Sequence, residues 1–263
     1  MRLPSPPVAP VMWISRRRVL YAGLLGRHTP HALGATIVYV AIEQPLELRI
    51  GGGAWLAAEA AVVPPGVTHQ VRSSGRMVGT LLIEPEALEP LQLRERLGTA
   101  RGVLSIGDLP ERFRALCVRL SFEGASAAFD DDRLDCALFG QPLGERTMDA
   151  RIDRVVRRIR EHPCAGHAAG AAAEASGLST SRFLHLFKAE VGVPFRAFRT
   201  WKRARELLHH ANRRLNLAHF ALDSGYPDST HFSHTVRRIF GMSPRDLFAG
   251  SRRLAIYSGD ARA

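Results

Sequence analysis

Lysine is almost missing from this chain: of 36 basic residues only Lys188 and Lys202 are not arginine. That bias points to coding in a GC-rich genome and carries no mechanism. Cysteine is scarce too. Cys117, Cys136 and Cys164 are odd in number, far apart and form no C-x-x-C, which argues against a disulfide framework or a zinc site. Buried thiols in a reducing cytoplasm are the expectation. No apolar run approaches the ~20 residues of a helical membrane span. The first residues, MRLPSPPVAPVM, carry four prolines and no continuous apolar stretch, so they read as a loose arm over 1–14 and not as a signal peptide. Ser-His-Asp, P-loop and paired-carboxylate patterns are missing from any context that would support them, so neither an enzyme nor a cofactor is expected.

Charge is present in excess, and its placement is informative. Residues 1–150 hold 16 Arg against 16 acids, whereas residues 151–263 hold 20 basic residues against 9 acids. The whole net charge of +11 therefore sits in the second part. A polyanion partner follows from electrostatics, nucleic acid first and a membrane surface second.

The two parts also differ in period. Val19–Leu25, Ala35–Ile42, Leu46–Ile50, Val67–Val71 and Met77–Ile83 are short apolar or alternating runs, separated by turns such as Gly51-Gly52-Gly53 and Pro64-Pro65-Gly66. Many short strands of this kind predict a small antiparallel barrel or jelly roll. After Pro85 the pattern turns helical. Asp108 is a candidate cap for a helix with Phe113, Leu116, Cys117 and Leu120 on one stripe, and a second helix is expected over Asp131–Phe139. Gly140-Gln-Pro-Leu-Gly144 breaks the pattern and marks a domain boundary. Beyond it, Ala150–Glu161 places Ile152, Val155, Val156 and Ile159 on one face.

An internal repeat decides the reading. Residues 171–198 and 220–248 align with Phe183 on Phe232, Phe187 on Val236, Gly192 on Gly241 and Phe198 on Leu247. Each copy has the grammar of a helix-turn-helix. A helix of small residues ends at Ser-Gly, where glycine can turn left-handed, and Ser179 or Asp228 then caps a second helix. Phe183, Leu186 and Phe187, and Phe232, Val236 and Ile239-Phe240, give each second helix a packing face. The opposite faces carry Ser181, Arg182, His185 and Lys188, and Thr230, Ser233, His234 and Arg237. Small polar groups with cations suit a helix in the major groove, where hydrogen bonds read base edges and cations meet phosphates. Phe195–His210, with neither Gly nor Pro, predicts a rod of ~24 Å joining two readers set ~34 Å apart.

At these residues the chain resembles the AraC/XylS family of bacterial transcription regulators. The family's C-terminal signature is similar to Ala218…Ala221…Ser224-Gly225-Tyr226…Asp228-Ser229…His231-Phe232-Ser233…Arg237-Arg238…Phe240-Gly241-Met242-Ser243-Pro244, and Phe183-Leu-His-Leu-Phe187-Lys188…Gly192 resembles its first reader. The resemblance implies an α+β two-domain protein: a flexible arm over 1–14, a cupin-like sensor barrel over 15–85, dimerisation helices over 86–140 and a linker over 141–149. A double helix-turn-helix DNA-binding domain over 150–250 and a tail over 251–263 complete it. It places base contacts on Ser181, Leu184 and His185 in the first reader and on Thr230, Ser233 and His234 in the second. Arg182, Lys188, Arg237 and Arg238 are the candidate phosphate contacts. Partners would be double-stranded DNA, a second copy of the chain, a small-molecule effector and RNA polymerase, in the cytoplasm and away from membrane. The first helix of copy one, His167-Ala-Ala-Gly-Ala-Ala-Ala, departs from the family in lacking larger aliphatic residues, and Pro227 and Val236 replace more usual ones.

Other features weigh less. His28, His31 and His69 invite a metal reading, but the H-x-H with a following Glu of cupin enzymes is missing, so His31 and His69 are read as effector-pocket residues without metal. Arg16-Arg17-Arg18 reads as a solvated strand entry, and Arg252 and Arg253 as a solvated tail or nonspecific steering. The rivals are a cupin-type metalloenzyme with a DNA-binding tail and a protein that coats DNA regardless of sequence.

Overall fold

The computed structural model describes residues 8–26, 29–99, 101–104, 107–126, 129–213, 216–249 and 253–259. The strands are β1 (Val11–Ile14), β2 (Arg18–Leu24), β3 (Thr36–Ala41), β4 (Leu46–Ile50), β5 (Leu56–Ala58), β6 (Ala60–Val63), β7 (His69–Ser73), β8 (Met77–Ile83), β9 (Gly102–Val103) and β10 (Ala255–Ser258). Helices α1 (Pro90–Leu97), α2 (Leu109–Glu123) and α3 (Asp131–Phe139) interrupt or follow them. Then come α4 (Ala150–Glu161), α5 (Ala169–Ala175), α6 (Thr180–Val191), α7 (Phe195–Glu206), α8 (Leu217–Asp223), α9 (Ser229–Phe240) and α10 (Pro244–Ala249). The protein thus has a sheet-rich N-terminal domain and a helical C-terminal domain.

The strands form a seven-stranded sheet, in the order β10-β1-β2-β8-β3-β6-β9, and a three-stranded sheet, β5-β4-β7. They do not close into one barrel, contrary to the sequence expectation. The larger sheet is covered on both sides, which explains its continuous apolar runs. Val11, Trp13, Val38, Val40, Leu81 and Ile83 face one core with α1, α2 and α3. The alternate residues Met12, Ile14, Ile37, Tyr39, Val78 and Leu82 face a second core. Gly79 lets α2 lie close, because a Cβ there would sit 2.4 Å from the Phe113 ring.

The second core joins the sheets to the helical domain. It contains Leu46, Leu48 and Val71 of the small sheet, and also Trp201, Ala204, Phe232, Val236, Ile239 and Phe240 of the helical domain. Side chains of α7 and α9 thus share one core with both sheets. The first helix-turn-helix keeps a separate core of Ile152, Val156, Ile159, Phe183, Phe187, Phe195 and Phe198.

Several expectations require correction. Residues 11–14 of the supposed arm are a fully buried strand, and 255–258 of the supposed tail pair in parallel with it, Val11 opposite Ala255 through Ile14 opposite Ser258. Residues 1–7 and Arg252 lie outside the described residues. Arg18 is not solvated: it donates to Asp135 from Nε at 3.1 Å and Nη2 at 3.0 Å, and both side chains are buried. Asp108 does not cap α2, since its carboxylate is taken by Arg112 at 2.6 Å. Cys117 is buried, but Cys136 is exposed and Cys164 half-buried. The rod after Phe195 is α-helical only to Glu206; Leu207–His210 tighten to a 3-10 turn. Its reach changes little, because twelve residues at ~1.5 Å and four at ~2 Å still span ~26 Å.

Candidate nucleic-acid interface

The first reader is built from α5 and α6. Helix α5 ends at Ser176, and Gly177 turns the chain with φ +65°, its N–H donating to Glu174 O at 2.9 Å. Leu178 N–H closes the turn on Ala173 O at 3.0 Å. Ser179 Oγ then accepts from Arg182 N–H, ending the row of unmatched donors at the start of α6. Phe183 and Phe187 pack edge-on against Phe195, each with centroids 5.1 Å apart. This ring cluster fixes α6 on α7 despite the alanine-rich α5. On the outer side Ser181, Arg182, Leu184, His185 and Lys188 are exposed. The acid at Glu190 is turned away, its carboxylate accepting from Asp149 N–H at 2.8 Å.

The second reader repeats the device with different packing. Asn216 Oδ1 accepts from Ala218 and His219 N–H to start α8, and Gly225 turns with φ +75°. Asp228 Oδ1 accepts from His231 N–H at 2.7 Å and caps α9. Both reading helices have twelve residues and end at a left-handed glycine, Gly192 and Gly241. Tyr226 and Phe220 stack edge-on with Phe232, at 5.1 and 6.3 Å. Thr230, His234, Arg237 and Arg238 are exposed and Ser233 is half-buried. All six residues expected at bases and all four expected at phosphates thus lie on the outer faces of α6 and α9. Arg203 was not singled out in the sequence. It donates to Gly225 O at 3.1 Å and lies over the Tyr226 ring, so it braces the second turn. Its spacing on α7 gave no sign of this.

His31 and His69 come together in the sheet domain, not at this interface. Both are buried, their rings 4.3 Å apart, and each has Nε2 near the Tyr39 hydroxyl, at 3.3 and 2.7 Å. Among the described residues no group of three or more His, Cys, Asp or Glu converges on a metal position. His28 lies outside them. His31 borders a cavity of about 480 Å³ whose walls come from both domains, with Met12, Ile37 and Leu82 on one side and Phe240, Met242 and Leu247 on the other.

Burial holds the His31 pKa below its ordinary 6.5, the Thr29 carbonyl only partly opposing this. The folded protein therefore binds this proton less readily than the unfolded chain, so the stabilisation exists above ~6.5 and fades as pH falls below it. His31→Gln is expected to flatten the fall in Tm between pH 7.5 and 5.5; an unchanged slope assigns that fall to other groups.

Two tandem units, each presenting a capped helix with an exposed polar and cationic face, make this half a DNA-binding module of the helix-turn-helix class. Residues 172–250 match the family model described as a helix-turn-helix domain. Over 110 residues the chain is 31% identical to the HTH-type transcriptional activator RhaS of Escherichia fergusonii, covering 41% of this chain and 39% of RhaS. Over 72 residues it is 31% identical to the invasion protein InvF of Salmonella typhimurium, covering 27% of this chain and 33% of InvF. The matches thus span well under half of either relative. Residues 172–250 thus form a helix-turn-helix domain similar to that of the transcriptional activator RhaS.

Likeness of fold extends further. ToxT of Vibrio cholerae O395 matches with a TM-score of 0.58 at 9% identity, over 89% of this chain and 99% of ToxT. ToxT of strain SCE256, solved with an unsaturated fatty acid bound, matches with a TM-score of 0.51 at 12% identity, over 89% of this chain and 96% of that one.

Proposed function

We propose that this chain is a sequence-specific DNA-binding transcription regulator whose sheet domain, cupin-like in its strands, responds to a small effector. The observation that carries the reading is the equivalence of α6 and α9. Two helices of one length, capped alike, expose matching sets of small polar residues, a histidine and cations in a segment that holds the whole net positive charge. Ser181, Leu184, His185, Thr230, Ser233 and His234 read base edges, and Arg182, Lys188, Arg237 and Arg238 hold phosphates.

The effector reading rests on the interdomain cavity. It lies within the usual size of small-molecule sites and has mainly aliphatic and aromatic walls. The fatty acid bound by a ToxT of like fold makes a lipophilic effector the first class to test here. Helices α1, α2 and α3 serve dimerisation with a second copy, RNA polymerase is a further partner at the promoter, and the protein acts in the cytoplasm.

Selection of bound sites from random duplex DNA, followed by competition at two salt concentrations, tests the function. A regulator prefers its selected site by ~10³-fold or more. Equal affinity for all sequences, governed by salt alone, would establish the DNA-coating alternative. Within the same assay, Lys188→Ala should weaken every duplex alike and lower the salt slope by about one phosphate contact. A loss confined to the selected site would move Lys188 from backbone to base.

A further inference from the structure

We infer that the interdomain cavity and the second reader form one mechanical unit, so that a lipophilic ligand in the cavity acts on α9 and leaves α6 untouched. This rests on the effector reading above. Three observations place the coupling.

First, the far wall of the cavity is the second reader itself: Phe240 ends α9, and Met242, Arg245 and Leu247 follow it. No residue of the first reader borders the cavity. Second, the cores divide the same way. Reader two shares its core with both sheets, whereas reader one has its own. Third, a seam joins the sheet domain to the end of α9. The last carbonyls of a helix have no partner inside it. Here the Gly241 carbonyl accepts from Thr29 N–H at 2.8 Å and from Thr29 Oγ1 at 3.0 Å, and the Arg238 carbonyl accepts from Ala32 N–H at 3.1 Å. The sensor segment 29–32 thus finishes the reading helix. His31, between those donors, turns its ring to the cavity. Gly241 cannot gain a side chain at this seam, because a Cβ would meet His31 Nδ1 at 2.6 Å.

The lining defines the ligand class. Aliphatic and aromatic walls, with Tyr39, His31, Arg245 and Asp246 among the lining residues, fit an apolar molecule with one polar end. Such a molecule touches sheet and reader together, so occupancy favours the joined form.

Hydrogen exchange on the full chain, with and without hexadecenoate as probe, tests the coupling. Saturable binding with at least roughly threefold slower exchange over 229–249 and none over 180–191 is the expected result. Binding that slows both helices, or neither, overturns the coupling and leaves the ligand site standing. An absence of saturable binding overturns the lipophilic assignment. The coupling is then decided by variants that need no ligand. Ala32→Pro removes the donor to Arg238 and should speed exchange at the end of α9 only. Thr29→Val, a milder change, should do the same to a smaller extent. Equal responses of α6 and α9, or no response in either variant, would show that the seam does not couple the cavity to the reader.

Discussion

Replacing Lys202 by methionine should lower folding stability by about 3–5 kcal/mol, read by urea unfolding at pH 7. Lys202 Nζ lies 2.5 Å from Glu84 Oε2 and 2.5 Å from Glu86 Oε1, and all three side chains are at most 4% exposed. Trp201 Nε1 donates to the same Glu84 oxygen at 2.8 Å. Arg205 Nε sits 2.7 Å from Glu84 Oε1, off the hydrogen-bond direction but close enough to pair in charge. Two carboxylates and two cations therefore balance at the contact between β8 and α7. Burial works against the Glu84 charge, yet Lys202 and Arg205 outweigh it and hold its pKa below the usual carboxylate value. Methionine preserves the stem and removes the charge, leaving Glu86 without its cation in a site where Oε2 already has no donor among the described residues.

The double variant Lys202→Met, Glu86→Gln should recover part of the loss, because it removes the charge that the first change strands. The sign with pH also follows. Glu84, depressed in the folded state, contributes stability above about pH 4.5 that is lost as pH falls through its folded value. A Lys202→Met loss within the ~0.5 kcal/mol of an ordinary surface change would mean that water reaches the cluster and the two domains part in solution.

That cluster was invisible in the sequence, and the reason is physical. Glu84 and Lys202 are 118 positions apart, and nothing in the local pattern around either selects the other. The same applies to Arg18 and Asp135, and to β10, whose four residues pair with a strand at the opposite end of the chain. The strands β5 and β6 carry no strong strand signal because Ala57, Ala58, Ala60 and Ala61 have weak strand preference; burial overrides it at Ala58, Ala60 and Ala61, while Ala57 is exposed and held by its pairing with β4. The packing of the second reader into the core shared by both sheets is likewise a long-range contact that no local pattern announces.

The readers themselves were legible because a helix-turn-helix is written locally. Ser179 and Asp228 accept the backbone N–H three residues on, Gly177 and Gly225 take positive φ, and the apolar residues recur at helical spacing. Every one of those signals lies within a dozen residues of the feature it encodes. Asp108 shows the limit: a residue of the right type stood at the right place, and Arg112 took its carboxylate.

The other large effect concerns DNA. The double variant His185→Ala, His234→Ala should lose about 2–6 kcal/mol of affinity for the selected site, summed from about 1–3 kcal/mol at each base-reading position. Additivity is expected because the two histidines sit on helices whose cores share no residue, so neither truncation alters the packing of the other. In competition binding the loss is roughly 30-fold to 10⁴-fold on the selected duplex and near zero on random duplex. The preference for the site therefore narrows while the salt slope holds, since truncating a side chain that reads a base edge releases no phosphate contact. Each single variant should relax discrimination in only one of two segments ~34 Å apart, and footprinting would show which. Equal losses on selected and random duplexes would make both histidines backbone contacts. A loss in one segment only would mean that a single reader enters the groove and that the repeat serves architecture on its other side.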